Sequence, residues 1–186
     1  TISYWKKACD VSEKGNTKTK YINYLRKKTQ LALLEGDSEK AVQVAQKGLD
    51  EIDVSPYAYQ QTFFKWWFYH ALAEAYLLCY KIENAEEIEK ALERALFYSD
   101  LIESNKKFYY LQLKAVYMYY TKRYDVAIEL NDEAIKLIDS SNYRSKVMSI
   151  KSQLDQNKNV FLLRDIQHDI YSQIHTKDGL FNLPCM

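Results

Sequence analysis

Turn-forming residues are scarce in this chain, since its 186 residues include only 4 glycines and 2 prolines. A β-sandwich or β-barrel needs Gly and Pro at many tight turns, whereas long helices with few connections need few of them. A chain of this length suits one domain with a sizeable core. The scarcity therefore predicts an all-α fold.

Apolar residues recur at helical spacing along most of the chain, and no segment alternates convincingly as a strand does. Ser55 followed by Pro56 is a typical helix start. Asn84 followed by Glu87 resembles a reciprocal cap, in which the Asn side chain accepts a hydrogen bond from a backbone amide. The helices are predicted at 2–13, 19–35, 38–52, 56–80, 84–102, 104–121, 124–138, 143–154 and 157–176.

The sequence contains an internal repeat. Segment 36–49 aligns without gaps on segment 122–135, and Thr29 then takes the place of Ala115. A middle copy is looser, because its turn at 81–84 needs about three extra residues. Its first helix carries Ala73 and Tyr76, and its second carries Ala91 or Ala95.

Segment 111–137 places Ala115, Tyr124, Ala127 and Ala134 where tetratricopeptide repeats carry small and aromatic residues. Small residues are needed there because two antiparallel helices approach each other closely. Residues 20–154 resemble the tetratricopeptide-repeat superfamily. The resemblance implies antiparallel helix hairpins stacked as a right-handed solenoid of about eight to nine helices.

On this interpretation residues 1–18 form an N-terminal capping helix and residues 19–154 form about three to three and a half repeats. A C-terminal helix at 155–178 and a tail at 179–186 follow. Three departures from the repeat pattern, namely Lys122 for a glycine, Gly48 for an alanine and the longer middle turn, leave two other folds open. These are another helix-hairpin solenoid and an irregular bundle.

The resemblance also implies a concave groove lined by the first helix of each pair. Aromatic, amide and singly charged side chains at these positions suit a protein or peptide segment. The predicted groove residues are Arg26, Gln30, Trp67, His70, Glu74, Tyr109, Gln112, Tyr119, Tyr120, Tyr143 and Lys146. Glu74 would repel the carboxylate that chaperone-binding tetratricopeptide repeats recognise, so that role is not expected.

Motifs for catalysis and metal binding are missing from the sequence. It has no Gly-rich phosphate loop, nucleophile elbow or HExxH, which predicts a protein without catalytic activity, cofactor or metal. Cys9, Cys79 and Cys185 are far apart and odd in number, so a disulfide framework is not expected. His168 and His175 are two helical turns apart, about 10 Å, which is too far to share a metal ion.

Charge and hydropathy exclude two partner classes. The net charge is +1, which does not steer the chain to nucleic acid. No run of 18 apolar residues occurs, so no direct membrane contact is expected. The compartment stays open, with the cytoplasm favoured unless the chain belongs to a membrane-bound sensor.

Two other functions stay open beside binding of a protein or peptide. Segment 164–173, with His168, Asp169 and Gln173, is similar to the H-D-x-x-x-Q phosphoacceptor segment of bacterial sensor histidine kinases, in which tetratricopeptide repeats often precede that helix. The preceding Arg-Asp is one residue out of register. This similarity favours the sensor region of a bacterial histidine kinase or transcription regulator. The second alternative is a self-association module, that is, a homo-oligomer.

Overall fold

The computed structural model describes residues 2–13, 17–52, 58–102, 107–139 and 156–164. Every regular element in these ranges is a helix, and none of them contains a strand, so the all-α prediction is confirmed. The helices are α1 (Ile2–Glu13), α2 (Lys18–Glu35), α3 (Ser38–Ile52), α4 (Ala58–Leu78), a 3-10 helix (Ile82–Asn84), α5 (Ala85–Leu101), α6 (Lys107–Tyr120), α7 (Tyr124–Asp139) and α8 (residues 156–164).

Where the described ranges include them, the predicted helix bounds hold within two residues, whereas the predicted starts at Ser55–Pro56 and at residue 104 lie outside the described residues. The predicted cap at Asn84 is wrong. The Asn84 side chain makes no cap hydrogen bond, because this residue belongs to the 3-10 turn and has φ −94° and ψ 8° instead of the extended backbone of a typical N-cap. The predicted helix 143–154 lies outside the described residues. So does the part of the predicted helix 157–176 beyond residue 164, including His168 and His175.

The chain divides into two compact units, Thr1–Leu113 and Lys114–Met186. In the first unit each helix packs on the next along the chain from α1 to α5, and α2 also contacts α4. Four small or aliphatic core residues, Ala32, Ala41, Ala71 and Ala75, form a buried cluster with Leu33. Trp67 and Val42 pack against this cluster, so it joins α2, α3 and α4.

A glycine permits a close contact between α3 and α4. A Cβ atom placed on Gly48 would overlap the ring of Phe68, which is fully buried. The matching position in the other repeat copy holds an alanine, Ala134, so Gly48 departs from the repeat pattern. The structure gives the physical reason, since no side chain fits between the α3 backbone and this ring.

Residues at matching positions of the two repeat copies are buried to the same extent. Thr29 and Ala115, at matching positions of α2 and α6, are both fully buried. Ala41 of α3 and Ala127 of α7 are also fully buried, as the requirement for small residues at close helix contacts predicts.

The turns after α2 and α6 have the same hydrogen bonds. The amide of Gly36 donates to the Leu33 carbonyl at 3.2 Å, and the amide of Asp37 donates to the Ala32 carbonyl at 2.9 Å. The matching amides of Lys122 and Arg123 donate to the carbonyls of Tyr119 and Met118 at 3.1 and 2.9 Å. This is the Schellman pattern, which needs a left-handed residue after the helix.

That left-handed position is occupied by different residues in the two turns. Gly36 has φ 76° and Lys122 has φ 61°. Lys122 is the only residue other than glycine with positive φ in the described ranges. Since a side chain with a Cβ atom is strained in this conformation, the second turn carries a local energetic penalty that the first avoids.

Exchanging the two residues should therefore have opposite effects. We expect Lys122→Gly to raise the free energy of unfolding by about 1 kcal/mol and Gly36→Lys to lower it by a similar amount. No atom lies within 4 Å of a Cβ placed on Gly36, so backbone strain accounts for the loss. Urea denaturation followed by circular dichroism measures both changes.

Arg123→Gly is the matched control, because it makes the same kind of substitution one residue further on, where φ is not positive. It should not stabilise the chain. Equal effects of Lys122→Gly and Arg123→Gly would show that the left-handed conformation is not the cause.

Candidate functional site

Helix α4 presents three predicted groove residues on one face. Trp67, His70 and Glu74 are separated by three and four positions, which places them in a row along an α-helix. All three remain partly exposed, whereas their neighbours Trp66 and Phe68 are buried. The helix is thus anchored by aromatic side chains and keeps a mixed polar and aromatic row partly accessible.

Arg26 of α2 lies over one end of this row. Its Cζ atom is 5.6 Å from the centre of the Trp67 ring, within the range of a cation–π contact. The Arg26 Nε atom is enclosed and has no hydrogen-bond partner among the described residues. Burial lowers the pKa of the Arg26 guanidinium, because loss of water disfavours its charged form. The group therefore retains unused hydrogen-bonding capacity beside an aromatic ring.

His70 occupies the middle of the row between two aromatic rings. Its ring centre is 5.8 Å from that of Trp66 and 5.6 Å from that of Tyr109, which meets it edge to face. Burial lowers the pKa of His70 to about 4, since the surrounding rings cannot solvate an imidazolium. Burial likewise raises the pKa of Tyr109. Near pH 7 the middle of the row is therefore uncharged.

Glu74 lies one helical turn beyond His70. Burial raises the pKa of its carboxyl group, because partial enclosure disfavours the ionised form. Ion pairs in the first unit include those of Lys6 and Lys40 with Glu35 and of Lys18 with Glu51, and none among the described residues includes Glu74. Glu74 is thus a partly enclosed acid without a cationic partner in the described part of the chain.

These contacts bring five predicted residues together on three helices of the first unit. We call this set, Arg26, Trp67, His70, Glu74 and Tyr109, the α2–α4–α6 surface. Two further predicted residues extend it in register. Gln30 is one turn beyond Arg26 on α2, and Gln112 is one turn beyond Tyr109 on α6; both are partly exposed.

Tyr119 and Tyr120 belong to the second unit. The Tyr119 ring lies 5.2 Å from that of Phe161 of α8 and 5.7 Å from that of Tyr124 of α7. Tyr120 is exposed, with 42% of its surface accessible. Tyr143 and Lys146 lie outside the described residues, as does the segment around His168.

The sequence interpretation missed Trp66 as a residue of the site. This side chain is buried, and its ring centre lies 5.9 Å from that of Tyr109 in addition to its contact with His70. The signal was present in the sequence, because Trp66 precedes His70 by four positions and therefore shares a side of α4 with it. From its buried position Trp66 contacts the rings of both His70 and Tyr109.

A cleft lies between α3, α4 and α5. Its volume is about 310 Å³, and it is lined by Gln46, Leu49, Tyr69, Leu72, Tyr76, Glu87, Lys90 and Ala91. Burial first, and then the charges of Glu87 and Cys79, raise the pKa of Tyr76. This cleft contains none of the predicted groove residues.

The described part of the chain contains neither a cluster of metal ligands nor a membrane-spanning helix. No group of three or more His, Cys, Asp or Glu side chains there is arranged to hold a metal ion. None of the described helices combines the length and apolar character needed to cross a bilayer.

Comparison with known proteins gives no match. No model of a known protein family matches the chain, and no curated protein or solved structure matches it significantly. The geometry of the site is therefore the basis for the functional proposal.

The lowered pKa of His70 makes a prediction about stability. A histidine that protonates near 6.5 when unfolded and near 4 when folded takes up protons preferentially in the unfolded state between these values. The contribution of His70 to the free energy of unfolding is therefore fully present at pH 7 and is lost as the pH falls through this window. We expect a loss of about 1–2 kcal/mol between pH 7 and pH 5.

Urea denaturation at the two pH values measures this loss, and His70→Gln should remove it. His70→Phe keeps an aromatic ring between Trp66 and Tyr109 and serves as a second variant if the first is poorly folded. Glu74 contributes with the opposite sign, because its raised pKa favours the folded state at low pH. That contribution is present in the original chain and in both variants, so it cancels in the comparison. A pH dependence unchanged by both substitutions would contradict the assignment.

Proposed function

We propose that this chain is a non-catalytic tetratricopeptide-like module that binds a protein or peptide segment on the α2–α4–α6 surface. One observation carries the proposal, namely the partly buried Arg26 guanidinium, which lies over Trp67 with an Nε atom that has no hydrogen-bond partner among the described residues. A buried donor without a partner is unfavourable for the isolated chain. Because the Nε atom itself is enclosed, a ligand acceptor would bind the partly exposed remainder of the Arg26 side chain, whose charge no described carboxylate pairs.

The proposed architecture is a series of antiparallel hairpins, α2–α3 and α4–α5 among them, stacked as in a right-handed tetratricopeptide solenoid. Three observations support it. The two-residue connection between α2 and α3 is short, the turns after α2 and α6 share their hydrogen bonds, and α2 contacts α4 as the first helices of successive pairs would. In such a stack α2, α4 and α6 line the concave side.

The composition of the surface favours a polypeptide over a small metabolite. Trp, Tyr and Arg are the residues that contribute most often to the energetically important centres of protein interfaces. Trp67, Tyr109 and Arg26 are spread along three helices instead of enclosing a single cavity. Gln30 and Gln112 at the margins offer amide groups that suit a peptide backbone.

Selection from a random peptide library displayed on phage tests the proposal, with the complete chain as immobilised target. Selected peptides should bind the chain, and Arg26→Gln should weaken them about tenfold or more, since a charge-assisted hydrogen bond is lost. Fluorescence anisotropy with labelled peptides gives the dissociation constants. Circular dichroism melting curves verify that the variant is folded.

Arg94→Gln is the matched control, because Arg94 is an exposed arginine on α5, outside the surface. It removes the same charge and should leave the dissociation constants within about twofold. Failure to select any peptide, or equal binding to both variants, would contradict the proposed binding surface.

A further inference from the structure

We propose that the recognised segment is a peptide of mixed charge, in which an acidic side chain binds Arg26 and a basic side chain binds Glu74. An apolar or aromatic side chain lies between them, against His70 and Tyr109. This inference rests on the proposed function and specifies its ligand. It follows from the order of charges along the surface.

The cationic end of the surface lacks an acidic partner among the described residues. No described carboxylate forms an ion pair with Arg26, and Trp67 covers one side of the guanidinium. A carboxylate is the acceptor that best matches the planar, forked donor geometry of arginine. Arg26 as a residue is partly exposed although its Nε atom is enclosed, so we place the acidic side chain of the ligand at the accessible part of the Arg26 side chain.

The acidic end of the surface likewise lacks a cationic partner in the described part of the chain. Glu74 is partly enclosed, and no described lysine, arginine or histidine forms an ion pair with it. An ionised carboxylate in such a place is unfavourable unless a cation accompanies it. A ligand lysine or arginine would supply that cation, whereas a second carboxylate would be repelled.

The spacing between the two ends fixes the spacing expected in the ligand. Glu74 follows Trp67 by seven positions on α4, which corresponds to about 10 Å along the helix axis. A peptide in the polyproline II conformation rises about 3.1 Å per residue and has three residues per turn, so side chains three positions apart share one face and lie about 9 Å apart. The expected pattern is an acidic residue, two intervening residues and a basic residue.

The region between the two ends is uncharged and aromatic. His70 is neutral near pH 7 because its pKa is lowered to about 4, and Tyr109 meets its ring edge to face. An apolar ligand side chain can cover these rings without meeting a charge. A uniformly acidic or uniformly basic ligand would match only one end of the surface.

The test is three parallel phage selections with one random peptide library, on the complete chain, on Arg26→Gln and on Glu74→Gln. Peptides selected on the original chain should be enriched in the acidic-x-x-basic pattern. The Arg26→Gln selection should lose only the acidic preference, and the Glu74→Gln selection should lose only the basic one.

A double-mutant cycle with one selected peptide sharpens this result. Replacing the acidic residue of the peptide by its amide should weaken binding to the original chain about tenfold, yet change binding to Arg26→Gln by less than about twofold. Replacing the basic residue of the peptide by a neutral one should likewise weaken binding to the original chain about tenfold, yet change binding to Glu74→Gln by less than about twofold.

The outcomes separate this inference from the proposed function. One outcome is a set of selected peptides that depend on Arg26 for binding and yet lack the acidic-x-x-basic pattern. That result would contradict the mixed-charge ligand but not the proposed binding surface. Peptides whose binding is independent of both Arg26 and Glu74, or the absence of any selected peptide, would overturn both proposals.

Discussion

Close packing of α2, α3 and α4 through very small residues is the constraint on which the α2–α4–α6 surface depends. Ala32, Ala41 and Ala75 allow these helices to approach each other, and Gly48 leaves room for the ring of Phe68. With Phe68 held against α3, the rotation of α4 about its axis is determined. Trp67, His70 and Glu74 then form one partly exposed row, and α2 carries Arg26 to the first of them.

Partial burial gives this row its chemical character. Water is removed from Arg26, His70 and Glu74 without a compensating ion pair from the described residues, so burial shifts the pKa of each group toward its uncharged form. Surface ion pairs elsewhere, such as that between Lys158 and Asp132 at 2.8 Å, show that the chain can pair charges where α7 and α8 meet. The described part of the chain therefore pairs charges in other places but not in this row.

Much of the fold was predictable because local rules determine it. The bounds of α1, α2, α3 and α7 follow from apolar periodicity and from turns such as Gly36–Asp37. The Asn84 cap was predicted wrongly, because a 3-10 turn places its backbone outside the usual N-cap conformation, which no residue pattern in that segment reveals. The strained φ of Lys122 was visible only as a lysine at a position where the repeat usually has glycine.

The site was predictable as a set of positions but not as a set of contacts. Helical spacing places Trp67, His70 and Glu74 on one face, whereas the contact between Arg26 and Trp67 depends on how α2 packs on α4. Trp66 was missed because a run of aromatic residues does not show which ring is buried. Nuclear magnetic resonance tests the assembled surface most directly. We predict nuclear Overhauser effects between the His70 and Tyr109 rings, and Arg26 Hδ signals shifted upfield by the Trp67 ring. Their joint absence in the folded chain would contradict the α2–α4–α6 surface.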